Sequence, residues 1–249
     1  MEAVRCRPGS GRAPAVRPAG RWYAPVKEAA DFALALVLTV VALPVMALCA
    51  VAVRLTSPGP AFYTQTRVGR GGRTFTIYKL RSMVHNCESL TGPRWSLPGD
   101  PRVTRFGCFL RVSHLDELPQ LLNVLRGDMS LIGPRPERPE FVPELERALP
   151  GYWQRLTVRP GVTGLAQLQL PPDADLTSVR RKLAHDLYYI RHLGPWIDLR
   201  LLLGTALYAL GLPFRLVRKP LGLPSSTEIE RSMRDLVPDA PPVRQRLAA

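Results

Sequence analysis

Twenty-two consecutive residues, Phe32 to Val53, carry no charge (FALALVLTVVALPVMALCAVAV), and no other stretch limits the fold of this chain as strongly. As a straight helix rising about 1.5 Å per residue, the run reaches roughly 33 Å, enough to cross a bilayer core. Two features oppose a simple span. Pro44 lies near the middle, where it removes a backbone donor and bends the helix. Both flanks are basic, with Arg5, Arg7, Arg12, Arg17, Arg21 and Lys27 before the run and Arg54, Arg67, Arg70, Arg73, Lys79 and Arg81 after it. Arg/Lys-rich flanks stay on the cytoplasmic side, so this symmetry gives a span no orientation. A re-entrant helical hairpin broken at Pro44, with both ends on one side, accounts for these facts best; a straight span and a buried helix are the alternatives.

The 249 residues allow one or two domains and a core that needs no staples. Thirty-four basic against 20 acidic residues give a net charge of +14, which calls for an anionic partner: nucleic acid, lipid headgroups or a phosphorylated substrate. Nucleic acid is disfavoured, because the chain has no helix-turn-helix, zinc-finger or RNP pattern and the apolar run would hold it at a membrane. Cys6, Cys49, Cys87 and Cys108 lie 43, 38 and 21 residues apart, so there is neither a CxxC pair nor a zinc-ligand spacing.

Residues 1–25 read as a disordered basic arm. After the apolar run, residues 61–66 and 73–80 read as short strands around a glycine-rich turn at 67–72. On the second strand Phe75, Ile77, Lys79 and Arg81 alternate onto one face, which makes Lys79 and Arg81 a two-pronged cationic site. Residues 86–104 form a polar loop. Pro119–Arg126 and 139–149 suggest short helices. From Thr177 to His192 the recurrence of Val179, Leu183, Leu187 and Ile190 marks an amphipathic helix. Leu201–Phe214 is uncharged but too short to span, so it is a core helix or one lying at a membrane interface. The segment from Pro220 onward is proline-rich and expected to be loose.

Candidate chemistry centres on Asp116 and Glu117. Adjacent carboxylates before a short apolar helix can be simple helix-start decoration, and Ser113-x-x-Asp116 matches a capping box. Alternatively, carboxylates held beside free amides at Pro119 stay ionised, one as a nucleophile and its neighbour as a ligand for a divalent cation. Lys79, Arg81, Arg111, Arg135, Arg155 and Arg159 then supply a basic wall of the kind that grips a diphosphate, with Arg135 fixed between two prolines. Each of these arginines, taken alone, reads better as a solvated surface residue.

Three ordered blocks, KLRSM at 79–83, DELPQLLNVLRGDMSLIGPRP at 116–136 and YWQRLTVRPGVTGLAQ at 152–167, resemble the bacterial sugar transferases, the monotopic polyprenyl-phosphate phosphoglycosyl transferases. The resemblance runs from about Val26 to Leu212 and is to the small, minimal form of the family. It implies transfer of a sugar 1-phosphate from a nucleotide diphosphate sugar, usually a UDP-sugar, to undecaprenyl phosphate with release of UMP. This would be the first membrane step of exopolysaccharide, capsule or other envelope glycan synthesis. It implies Asp116 as the nucleophile that carries a covalent phospho-sugar, Glu117 as its partner holding Mg²⁺, and a helix–break–helix hairpin at the bacterial inner membrane with the catalytic domain on the cytoplasmic face. The hairpin break is usually Ser-Pro and here is Leu43-Pro44, so Thr39 is the candidate to satisfy the freed carbonyl; the usual Lys-Arg pair at the membrane reads Lys27-Glu28.

The expected architecture is therefore α+β. It comprises the basic arm (1–25), a re-entrant hairpin (26–55), a cytosolic α/β catalytic domain of several short helices and a few strands with interfacial amphipathic helices (56–219), and a loose tail (220–249). The expected partners are a nucleotide-sugar donor, polyprenyl phosphate and an anionic phospholipid surface; exposed apolar faces also leave room for a homodimer. A membrane-bound polyanion-binding scaffold without catalysis is the competing reading.

Overall fold

The computed structural model describes residues 22–89, 92, 94–95 and 99–237. The expected basic arm therefore lies outside the described residues except for its last four, and the helix that follows begins earlier than expected, at Tyr23. This helix, α1 (Tyr23–Thr56), is one 34-residue element with Pro44 inside it, rather than two helices separated by a break. Among the described residues it is the one helix long and apolar enough to cross a membrane.

One stripe of α1 faces the rest of the molecule. Tyr23, Asp31, Ala35, Met46, Cys49 and Val53 are buried along it, and Ala42 packs on the main core. The other faces are apolar and bare, with Val41 68% and Leu48 72% exposed. Thr39 Oγ1 donates to Ala35 O at 2.7 Å. It does not satisfy the carbonyl four residues before Pro44, the one that proline deprives of its donor.

The chain then forms the antiparallel hairpin β1 (Phe62–Val68) and β2 (Thr74–Leu80), in register from Phe62 opposite Leu80 to Val68 opposite Thr74. Next come α2 (Arg105–Val112), a 3₁₀ segment (Leu115–Gln120) and α3 (Leu121–Leu125). A short parallel pair, β3 (Ser130–Ile132) with β4 (Gly161–Thr163), brackets α4 (Val142–Ala148). The remaining helices are α5 (Leu165–Gln169), α6 (Leu176–Arg191), α7 (Pro195–Ala209), α8 (Phe214–Arg218) and α9 (Ser226–Ser232).

The anticipated helix at 177–192 is α6. Val179, Leu183, Leu187 and Ile190 are all buried, each worth about 1.5–3 kcal/mol of burial. Its start is fixed by a capping box in which the Asp175 carboxylate accepts from Ser178 N at 2.7 Å, worth about 1 kcal/mol. Residues 220–237 are less loose than expected: α9 places Ile229 in the main core, followed by Met233, Leu236 and Val237, and the rest of the expected tail, 238–249, lies outside the described residues. The uncharged run at 201–214 divides between α7 and the start of α8, and α7 begins six residues earlier, with Pro195 in its first turn. Leu201 of α7 is buried, whereas Trp196, Leu199 and Leu203 are exposed. Two α2 side chains, Phe109 and Val112, are exposed as well.

Candidate active site

The site is built where β2 runs out beside the 3₁₀ segment. Its floor is set by Asn123 on α3, which is fully buried. The Asn123 side chain donates to Thr76 O at 2.7 Å and accepts from Tyr78 N at 3.2 Å. A strand edge that would otherwise be unpaired is thus used to hold the acidic turn against Lys79. Asn123 was missed in the sequence, although a lone amide in the apolar stretch LLNVL signals a buried partner.

The carboxylates do not precede a helix, as expected; they lie within the 3₁₀ turn, with Pro119 inside it as well. Ser113 is not their cap. It ends α2, its hydroxyl donating to Phe109 O at 2.8 Å. His114 makes the reversal: it sits in the left-handed region at φ 57°, ψ 14°, a strain of about 1–3 kcal/mol. Its role near Asp116 is thus to bend the backbone, and its ring meets Tyr208 edge-on at 5.7 Å between centroids.

The two neighbouring acids have opposite surroundings. Glu117 Oε1 accepts from Lys79 Nζ at 2.8 Å, and Arg135 grips both of its oxygens, through Nη1 to Oε2 at 3.2 Å and through Nη2 to Oε1. Burial pushes the Glu117 carboxyl up, but the charges and hydrogen bonds of Arg135 and Lys79 outweigh it and hold the group well below the usual carboxylate range. Asp116 is 7% exposed, and burial raises its carboxyl against the opposing charge of Lys79. Glu117 raises it further, while Arg111 and Arg135 lower it. Among the described residues the Asp116 carboxylate makes no hydrogen bond and no ion pair, and neither of its oxygens is a buried orphan. It is recessed and uncommitted.

Arg111 is seated by α2. Thr104 Oγ1 caps the helix by accepting from Gly107 N at 2.9 Å. Gly107 lets the helix press on the β2 exit, where a Cβ would stand 1.9 Å from Ser82 O. One turn on, Arg111 Nε donates to Ser82 Oγ at 2.9 Å.

Two expected site arginines are employed elsewhere. Arg81 does not pair with Lys79 as a second prong. It leaves the end of β2 and donates from Nη2 to Ser57 O at 2.8 Å and from Nη1 to Pro58 O, clamping the turn after α1. Arg155 is 3% exposed. It binds Asp186 Oδ2 through Nε at 3.0 Å and Tyr152 Oη through Nη1 at 2.6 Å. Through Nη2 it holds Arg135 O at 2.7 Å. It therefore braces the main chain of Arg135 from below and presents no free guanidinium to a phosphate. Arg159 pairs with Glu28 at 3.2 Å. Lys27 is no headgroup anchor, since Asp198 takes it up at 2.7 Å.

The arrangement does not fit a resident Mg²⁺ on Glu117. Three hydrogen bonds occupy its roughly four lone-pair positions, and two cations stand against it. Among the described residues no three His, Cys, Asp or Glu side chains gather as a metal cluster. Glu117 serves instead as the counter-ion that locks Lys79 and Arg135 side by side. Around Asp116 and Glu117 the three cations Lys79, Arg111 and Arg135 leave a surplus of positive charge, matched to a polyanionic ligand.

Comparison with known proteins identifies a family for the chain. The family model described as bacterial sugar transferase matches residues 22–211. The UDP-N-acetylgalactosamine-undecaprenyl-phosphate N-acetylgalactosaminephosphotransferase of Aeromonas hydrophila is 45% identical over 183 residues, 74% of this chain and 43% of that protein. The UDP-glucose:undecaprenyl-phosphate glucose-1-phosphate transferase of Xanthomonas campestris is 40% identical over 192 residues, 76% of this chain and 40% of that protein. An exopolysaccharide production protein of Rhizobium leguminosarum is 39% identical over 186 residues, 72% of this chain and 92% of its own length. The chain thus spans less than half of the Aeromonas and Xanthomonas proteins and nearly all of the Rhizobium one.

Proposed function

The chain belongs to the bacterial sugar transferase family, and on that premise we propose that it is an enzyme moving a sugar 1-phosphate from a UDP-sugar to undecaprenyl phosphate, with release of UMP. The observation that carries the proposal is the Asp116 carboxylate, recessed and unengaged beside a cation pair that Glu117 holds in place. In the first half-reaction an Asp116 oxygen attacks the β-phosphorus, the bond to the α–β bridging oxygen breaks, and UMP departs, leaving an aspartyl phospho-sugar. In the second, a phosphate oxygen of the lipid displaces Asp116. Splitting the transfer lets a water-soluble donor and a membrane-bound acceptor use one site in turn. Lys79, Arg111 and Arg135 offset the charge that gathers as an anionic nucleophile meets an anionic diphosphate. A divalent cation such as Mg²⁺ would have to arrive with the diphosphate, because Lys79 and Arg135 already occupy Glu117.

The membrane part of the proposal is a re-entrant α1 at the inner membrane, with the catalytic body on the cytoplasmic face. Its support is that both ends of α1 are tied to the same body. Near its start, Lys27 and Tyr23 bind Asp198. Near its end, Cys49 and Val53 pack with Leu80 and Leu110. That both ends of a helix of about 50 Å grip one body favours this reading over a crossing of the bilayer. The exposed apolar residues of α2 and α7 then rest at the interface.

Purified enzyme incubated with Mg²⁺ and a panel of UDP-sugars, without lipid acceptor, is expected to release UMP and to gain the mass of one phospho-sugar on the peptide bearing Asp116. The Asp116→Asn variant is expected to fold, to gain no mass and to turn nothing over. Normal turnover by that variant removes Asp116 from the proposed role.

A further inference from the structure

A buried polar network lies at the base of α1, in the two turns before the uncharged run begins. Asp198 on α7 accepts from Tyr23 Oη at 2.8 Å, from Lys27 Nζ at 2.7 Å and from Tyr189 Oη at 2.7 Å. Lys27 also lies 3.5 Å from Asp31. Asp31 in turn accepts from Ser130 Oγ at 2.6 Å and from Leu131 N at 3.4 Å, both on β3. Tyr189 Oη lies 3.1 Å from Ile132 O, the end of that strand. Tyr23, Asp31, Ser130, Tyr189 and Asp198 are each less than 9% exposed.

Two carboxylates and one ammonium buried together are an expensive way to join two elements, since an apolar contact of the same size usually holds as well or better. Such a network specifies one register, and the register in question leads to the active site. Four residues separate Ser130 from Arg135, and they contain no slack. Gly133 N is bonded to Thr163 O at 3.0 Å. A Cβ on Gly133 would meet Arg159 O at 2.6 Å. Arg135 then stands between Pro134 and Pro136 with its carbonyl held by Arg155 at 2.7 Å.

We infer that Asp31 and Ser130 are positioning residues for Arg135: the seat of the membrane helix on β3 sets where the guanidinium stands beside Glu117 and Asp116. The inference rests on the sugar-phosphate transfer reading and assigns to that site a dependence on α1. It places part of the catalytic geometry in the same helix that meets the membrane, so that a displaced α1 carries β3 and Arg135 with it.

The test is a double-mutant cycle on the full chain in lipid nanodiscs, with UMP release measured across UDP-sugar concentration. Ser130→Ala is expected to lower kcat/KM roughly tenfold, the worth of one well-placed hydrogen bond, with the same division between kcat and KM as Arg135→Ala. Placed on the Arg135→Ala background, Ser130→Ala is expected to cost nothing further, because both changes act through one group. Ser130→Thr, which keeps the hydroxyl, restores the rate. Losses that multiply in the double variant, or a Ser130→Ala enzyme equal to wild type, overturn the inference. Should Ser130→Ala not fold, Asp31→Asn is read in the same cycle, since it keeps an acceptor for Ser130 while withdrawing the charge that faces Lys27. An inactive wild-type chain would instead refute the transfer reading itself.

Discussion

Asp116 and Glu117 are adjacent in sequence and pushed apart in acidity, and the separation is the work of two cations. Burial acts on both carboxyls, but Arg135 and Lys79 bind Glu117 directly and reach Asp116 only through space. A nucleophilic Asp116 must be ionised, so the single-turnover rate of adduct formation rises with pH, with its acid limb above that of an ordinary aspartate. The limb is expected to move in opposite directions in two variants. Lys79→Met removes a charge that lowers the Asp116 carboxyl, so the limb moves up. Glu117→Gln removes a charge that raises it and frees both cations to turn toward Asp116, so the limb moves down. Adduct formation measured by rapid quench between pH 4 and 8 (roughly the range over which carboxyls and histidines titrate) checks this, and shifts of the same sign would refute the arrangement. At this scale the sequence anticipated that Lys79 and Arg135 gather at the dyad, as the geometry shows, while the roles assigned to these residues belong to the proposal. It was misleading about Arg81 and Arg155. Whether an arginine faces solvent or is consumed depends on oxygens brought from elsewhere, here Ser57 and Pro58 for one and Asp186, 31 residues away, for the other.

Elements were legible in proportion to their periodicity. The α6 helix repeats its apolar residues over four turns and was read with its ends almost in place, and the β1–β2 hairpin was marked by its glycine-rich turn. The α2 helix was not anticipated, since its Phe109 and Val112 point outward and only Leu110 and Gly107 turn in. The β3–β4 pair was also missed: three residues a side are too few to show an alternation, and Ser130, Leu131 and Ile132 are all buried. What allows that pair to form is the absence of a side chain. A Cβ on Gly161 would stand 2.1 Å from Gly133 N and 2.4 Å from Thr163 O, both backbone atoms that cannot swing away. Gly161→Ala is therefore expected to part the strands, costing at least the roughly 1–3 kcal/mol typical of overpacking and displacing Arg135. Thermal unfolding followed by circular dichroism, together with UMP release, is the measurement. An alanine variant with the wild-type midpoint and rate would mean that the pair is dispensable.

At the scale of the whole molecule the question is how a long apolar helix and a basic catalytic body share one surface. Pro44 and the basic flanks on both sides suggested a break, yet α1 continues through Pro44 as one helix, so a bend in the helix axis cannot be read from the residue pattern by itself. The proposed orientation rests instead on the buried stripe. It begins at Tyr23, held by Asp198, and ends at Val53, packed with Leu80 and Leu110, and all of these partners belong to the body that carries Asp116. If α1 spanned the bilayer, one of these two attachments would have to break and leave either buried charges or an opened apolar cluster facing the wrong solvent. Removing one partner from a buried ion pair costs about 3–5 kcal/mol, and no compensating contact awaits the detached end in the membrane. Single cysteines placed at the two ends, Trp22→Cys and Ser57→Cys in a chain otherwise cleared of cysteine, separate the two topologies. With a membrane-impermeant maleimide, both are expected to be labelled in inverted vesicles and both protected in intact spheroplasts. Opposite labelling of the two positions would establish a span and would require one of the observed attachments to open in the membrane.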